Sequence, residues 1–216
     1  MTDASQSTEP LFGDLDEALA ALKRDLVSDE GPRISTMRNY RFAILPYLPS
    51  DEFKLRRRIL QLTEELRAEG WAVLPISLQK LLLERIRRTG QENIDGLIAR
   101  EKRLYERDPD RALAHIRDKI APHIEGPDGL AADVARVIGD FADKNPGLAD
   151  RSLVMIGRAG ALYPFFRSSA LLKHIDGKTR NIPVVLLYPG KRADQSGLSF
   201  MCELPPDHDY RPRIYP

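Results

Sequence analysis

The sequence has only one cysteine, Cys202, among its 216 residues. One thiol cannot form an internal disulfide, so the fold must be held by its core, and a chain of this length can bury a sizeable one. The 33 basic and 32 acidic side chains nearly cancel, to a net charge of +1. Proteins that grip duplex nucleic acid through many phosphates usually carry a clear basic excess, so the composition disfavours that class.

Long hydrophobic runs are also missing. No stretch approaches the roughly 18 apolar residues that a membrane-spanning helix needs. The beginning of the chain is acidic and lacks the basic stretch and apolar run of a signal peptide. Residues 1–14 are polar and are predicted to be a disordered N-terminal segment. These features predict a soluble, cytoplasmic protein.

What the sequence does contain is an alternation of short apolar runs with amphipathic helical patterns. An apolar run, a helix with leucines and isoleucines at three- and four-residue spacing, and a second apolar run form a βαβ unit, which favours a parallel, buried sheet. Helical patterns alone fill residues 78–146, where Asp108 and Asp128 are predicted N-caps. Strands are predicted at residues 42–45, 71–74, 153–156, 184–188 and 198–201, with a helix at 165–175.

This pattern predicts a three-layer α/β fold with a mostly parallel sheet of four or five strands. Residues 15–216 are predicted to form a single domain, in which residues 78–146 are a helical insertion. No proline- or serine-rich linker flanks the insertion, and such a linker is typical of a domain boundary.

Motifs that carry catalysis are weak. The loop GRAGA, residues 157–161, follows a strand but lacks the lysine and hydroxyl of a phosphate-binding loop, so a tight turn is the simpler interpretation. The four histidines show no metal-ligand spacing, and no nucleophile elbow is present. We therefore expect a protein that is not an enzyme, with no cofactor and no metal. The alternative is a nucleotide- or nucleic-acid-binding protein, such as a degenerate NTPase relative.

Three clusters of basic residues lie on predicted helices. Each has acidic residues nearby in the sequence, among them Glu64, Glu65, Glu84 and Glu101, so salt-bridged solvent faces explain them better than a nucleic-acid stripe. The clusters are residues 56–58, residues 85–88 and residues 100–103.

The loop from Arg158 to Arg167 is the candidate partner-binding site. It follows a predicted central strand, at the end of the sheet where α/β proteins present their ligands. The candidate residues are two arginines and three aromatics, types that are enriched at interface hot spots: Arg158, Tyr163, Phe165, Phe166 and Arg167. One of the two phenylalanines is expected to pack on the sheet instead.

Three stretches resemble BrxB, a small subunit of the BREX bacteriophage-defence systems. They are residues 31–47 (GPRISTMRNYRFAILPY), residues 157–190 (GRAGALYPFFRSSALLKHIDGKTRNIPVVLLYPG) and the ending DYRPRIYP, and the resemblance covers roughly residues 15–216. It implies a bacterial cytosolic protein that associates with other BREX subunits, especially the alkaline-phosphatase-like PglZ protein. Any association with DNA is expected to be indirect. The resemblance supplies no catalytic residues.

Overall fold

The computed structural model describes residues 14–28, 31–34, 41–194 and 197–216. The predicted disorder of the N-terminal segment concerns residues that lie outside these ranges, apart from Asp14. Asp14 is the N-cap of the first helix, and its carboxylate accepts a hydrogen bond from the Asp16 N–H at 3.2 Å. A side-chain acceptor of this kind satisfies one of the free N–H groups in the first helical turn.

The first and last thirds of the described chain contain both helices and strands, and helices alone fill the middle. The helices are α1 (Leu15–Leu26), α2 (Glu52–Ala68), α3 (Leu78–Arg87), α4 (Gln91–Tyr105), α5 (Pro109–Ile124), α6 (Leu130–Lys144) and α7 (Ser168–Ile175). The strands are β1 (Phe42–Tyr47), β2 (Ala72–Ser77), β3 (Ser152–Gly157), β4 (Val184–Arg192), β5 (Leu198–Phe200) and β6 (Arg213–Ile214). No helix in the described ranges has the length and apolar composition of a membrane span.

The strands form one six-stranded, mostly parallel sheet in the order β2-β3-β4-β1-β6, with β5 antiparallel to β4. This confirms the predicted three-layer α/β class. The sheet has six strands where four or five were expected, because the tail contributes β6. That strand is parallel to β1, and the N–H of Tyr215 donates to the Ile44 carbonyl at 2.9 Å. A two-residue strand among prolines has too little alternation to be predicted from sequence.

Helices cover the two faces of the sheet in separate cores. One face packs against α1 and α2, and the other packs mainly against α3, α6 and α7. The central strands are apolar on both sides, as a sheet between two helical layers requires. The buried tail residue Tyr215 belongs to the α1 side, where its hydroxyl donates to Asp25 Oδ2 at 2.9 Å.

Of the two predicted N-caps, one is confirmed and the other is wrong. The Asp108 carboxylate accepts from the Arg111 N–H at 3.0 Å, which confirms it as the cap of α5. Asp128 is not a cap, because α6 begins at Leu130 with Gly129 as its N-cap. A side chain at Gly129 would place its Cβ 2.3 Å from the Glu125 carbonyl oxygen, so only glycine fits the tight turn before α6.

The helix predicted at 165–175 begins later, at Ser168, because the preceding residue is extended. Arg167 has φ −120° and ψ 112°, and Phe166 is drawn into the core. A short 3₁₀ turn, Gly160–Leu162, occupies part of the loop between β3 and α7.

Two of the three basic clusters, residues 56–58 and 85–88, form ion pairs, partly with partners other than those close in sequence. Among the described residues, the basic side chains of the cluster at 100–103 form none. Arg58 pairs with Asp16 on α1 at 2.6 Å, and Arg85 pairs with Asp133 on α6 at 2.7 Å. These pairs connect separate helices, so they organise the packing of the helical layers as well as the solvent-facing surface.

The insertion contributes to the core that covers one face of the sheet. Leu78, Leu82 and Ile138 are buried there together with strand residues. Helix α4 has no buried residue and lies along α5, to which it is tied by a 3.0 Å contact between Glu101 and His115.

The single-domain assignment leads to a direct prediction. We expect one cooperative thermal transition by calorimetry, with the insertion included, because the apolar faces of its helices need the sheet for cover. Two resolved transitions, or a protease-stable fragment without residues 78–146, would show two domains.

Candidate functional site

The carboxyl ends of β1, β2 and β3 lie at one edge of the sheet, because these strands are parallel members of the same sheet. Arg158 follows β3 directly and has a left-handed backbone, with φ 63°. This conformation is uncommon for a non-glycine residue and persists where the surroundings hold it.

The Arg158 guanidinium connects the loops that follow the two other strands. Its Nη1 donates to Glu52 Oε1 at 3.0 Å, and its Nη2 and Nε donate to Gln79 Oε1 at 2.7 and 3.2 Å. Glu52 opens α2 after β1, and Gln79 lies in the first turn of α3 after β2. Arg158 therefore holds together the loops that follow β1, β2 and β3, at the edge of the sheet where α/β proteins bind ligands.

Glu52 is the centre of this network. Its Oε1 also accepts from Arg56 Nε at 2.8 Å, and its Oε2 accepts from the Tyr47 hydroxyl. Burial, followed by the hydrogen bond to Glu52, raises the pKa of Tyr47 well above its ordinary value. The phenol therefore stays a neutral donor, and its hydrogen bond holds Glu52 in place.

An apolar groove of about 370 Å³ opens beside this network, between α2 and the end of β2. Met155 and Leu187 form its floor, and Ile59, Leu60 and Pro75 form its walls. The charged side chains that line it are Glu52, Arg56, Lys80 and Arg158.

The predicted site residues separate into three environments. Phe166 is only 2% exposed and packs against Phe200, with ring centroids 6.0 Å apart, so it belongs to the core. This corrects its assignment to a binding surface and matches the expectation that one phenylalanine packs on the sheet. Phe165 is half-buried, whereas Tyr163 is 40% exposed.

Arg167 is exposed and makes no ion pair or side-chain hydrogen bond with the residues that the structure describes. It lies between two cavities of about 440 and 410 Å³ that both touch Phe166. Arg158 lines the groove on the α2 side instead. The predicted loop therefore contributes to two separate surfaces.

The surface beside Arg167 is rich in hydroxyl groups that are already engaged. Ser168 and Tyr210 share a hydrogen bond of 2.7 Å, and the Ser169 hydroxyl donates to Asp207 Oδ2 at 2.6 Å. Burial raises the pKa of Tyr210 to about 12, so its hydroxyl remains protonated near neutral pH. Arg167 lies next to these pairs and is itself unengaged among the described residues.

The loop after β3 has the geometry of a tight turn. A Cβ at Gly160 would lie 3.0 Å from Met201 Sδ and 3.3 Å from a Pro189 side-chain carbon, so the glycine allows close packing. In the described part of the chain, no group of three or more histidine, cysteine, aspartate or glutamate side chains could hold a metal ion.

The comparison with protein families identifies the family of the chain. The model of the family described as BREX protein BrxB matches residues 74–214. The chain belongs to the BrxB family. The match includes the resembling stretch 157–190 and most of the DYRPRIYP ending, whereas the stretch 31–47 precedes it. No curated protein and no solved structure matches this BrxB-family chain. Membership makes it a component of BREX phage defence.

The sequence reasoning missed the groove of this BrxB-family protein. The available signal was on α2, where Phe53 and Leu60 are apolar but lie away from the buried stripe that contains Leu55, Leu62 and Leu66. They are 74% and 65% exposed. Large apolar residues on the polar face of an amphipathic helix indicate an interaction surface when they cluster.

Proposed function

We propose that this protein is a non-enzymatic accessory or scaffolding subunit of a BREX phage-defence complex, and that it binds a PglZ-like subunit in the cytoplasm. Membership of the BrxB family supports the BREX setting. The observation that carries the binding role is the carboxyl edge of the sheet, which presents an open apolar groove and an unengaged arginine.

The polar groups at this edge support binding over catalysis. Arg158, Glu52 and Gln79 are joined to one another and fix the loops. A catalytic group needs to reach a substrate atom at hydrogen-bond distance. Here the strongest polar contacts stabilise the protein, and the exposed side chains that line the groove are apolar or cationic, as in an interface.

The binding proposal is tested with purified components. We expect the full-length protein to form a stable complex with the PglZ-like subunit of its own BREX system in size-exclusion chromatography. We expect the other BREX subunits to bind more weakly, and DNA to bind only when another subunit is present. Failure of every BREX subunit to bind would refute the proposal.

The absence of catalysis is a separate prediction. We expect no ATP hydrolysis, phosphatase or nuclease activity from the purified chain, because the site polar groups are used in structural contacts. Phosphate release and plasmid cleavage measure this directly. Constant specific activity across the chromatographic peak of the protein would contradict it, since a contaminant would not follow the peak.

A further inference from the structure

The two faces of the sheet are covered unequally. Helices α3, α6 and α7 pack on one face, while α1 and α2 pack on the other. In a parallel sheet both faces are normally covered by helices. Among the described residues, α1 and α2 leave the carboxyl end of β2 open on their side, where Pro75 is exposed and the groove lies.

The apolar residues in and beside the groove suit one more helix. Phe53 and Leu60 are seven residues apart, so they lie on one stripe of α2, two turns from each other. A helix placed beside α2 would cover both side chains, and its apolar face would meet Pro75 and the floor formed by Met155 and Leu187.

The charge of the groove indicates the chemistry of its occupant. Three cations, Arg56, Lys80 and Arg158, line it with one carboxylate, Glu52. That carboxylate is shared by the two arginines, and Lys80 has no ion pair with a side chain in the described ranges. A complementary surface therefore carries aspartate or glutamate beside its apolar residues.

We propose that the groove between α2 and β2 receives an amphipathic helix of the PglZ-like partner, with acidic residues facing Lys80 and Arg56. This inference rests on the proposed function, since it assigns that partner a place on this chain. The helix completes the cover of the sheet face that α1 and α2 leave open.

The test uses full-length protein and the purified PglZ-like subunit in an affinity measurement. Leu60→Glu and Lys80→Glu are each expected to weaken binding at least tenfold, with unchanged melting temperatures, because both side chains are exposed. Lys80→Arg is expected to bind within twofold of the parent chain. The matched control is Ile98→Glu on α4, an exposed apolar residue on another helix that is 47% exposed.

The outcomes distinguish this inference from the proposed function. If the parent chain binds and both groove variants bind within twofold of it, the groove assignment is overturned and the binding role stands. If the parent chain binds no BREX subunit, the proposed function fails and the inference fails with it.

A photoreactive residue at position 60 identifies the occupant. A cross-link to an acidic, amphipathic helical segment of the PglZ-like subunit supports the inference. A cross-link to residues 1–13 of the same chain, to a second copy of it, or to a basic segment of the partner overturns it.

Discussion

Replacing Asp133 by alanine is expected to lower the free energy of unfolding by roughly 3 kcal/mol. The Asp133 side chain is 7% exposed and accepts from Arg85 Nη1 at 2.7 Å. Arg88 and Arg136 approach the other carboxylate oxygen at 3.5 and 3.7 Å. Removing the carboxylate leaves a largely buried guanidinium without its anion.

The contact connects two helices that are separated in sequence by α4 and α5. Arg85 lies near the end of α3, and Asp133 lies in the first turn of α6. Arg85 Nη2 also donates to the Asp128 carbonyl, so the same guanidinium holds the turn before α6. Loss of Asp133 is therefore expected to loosen α6 and the turn before it against α3, within the insertion.

Chemical denaturation measures this effect, with Asp140→Ala as the matched control. Asp140 lies on the same helix and contacts Arg136 at 3.5 Å, but its side chain is 60% exposed. Exposed pairs contribute little, so the control is expected to change stability by less than about 0.5 kcal/mol. A loss below about 1 kcal/mol for Asp133→Ala would show that the arginines find other partners or water.

The second large effect is expected at Arg167. If this arginine is an anchor for the PglZ-like partner, Arg167→Ala should weaken the complex by about 2 kcal/mol, which is roughly thirtyfold in affinity. The melting temperature should stay unchanged, because the side chain is exposed and unengaged among the described residues.

Arg158 provides the contrast. Arg158→Ala removes the contacts to Glu52 and Gln79, so it is expected to lower stability by about 1.5 kcal/mol as well as to perturb the groove. Affinity and melting curves for both variants separate the two roles. Unchanged binding by stable Arg167→Ala protein would remove this side of the loop from the interface.

The fold class was predictable because its signals are local. The apolar runs 42–45, 153–156 and 184–188 all lie in strands, and Asp108 caps its helix. Such runs mark buried strands, and a side chain that caps a helix does so within its own first turn. The resemblance of stretch 157–190 to BrxB could likewise be found from the sequence alone, and the family match, which includes this stretch, confirms the family.

The candidate site was predictable only in part. Arg158 lies at the carboxyl edge of the sheet, as predicted, because the apolar run before it clearly indicated a strand. The separation of Arg158 from Arg167, and the burial of Phe166, depend on which side of the sheet each residue meets. The short aromatic run gives no period that would show which ring turns inward.

The sequence by itself determined the α/β class, the helical insertion and the BrxB family, because periodicity, capping residues and distinctive strings are properties of neighbouring residues. The strand order, the sixth strand and the groove came only from the tertiary structure. Every central strand is apolar on both faces, so the pattern of a strand does not show which strand lies beside it in the sheet. The groove exists because α2 and β2, which are adjacent in sequence, leave part of one sheet face open beside a loop that begins at Arg158.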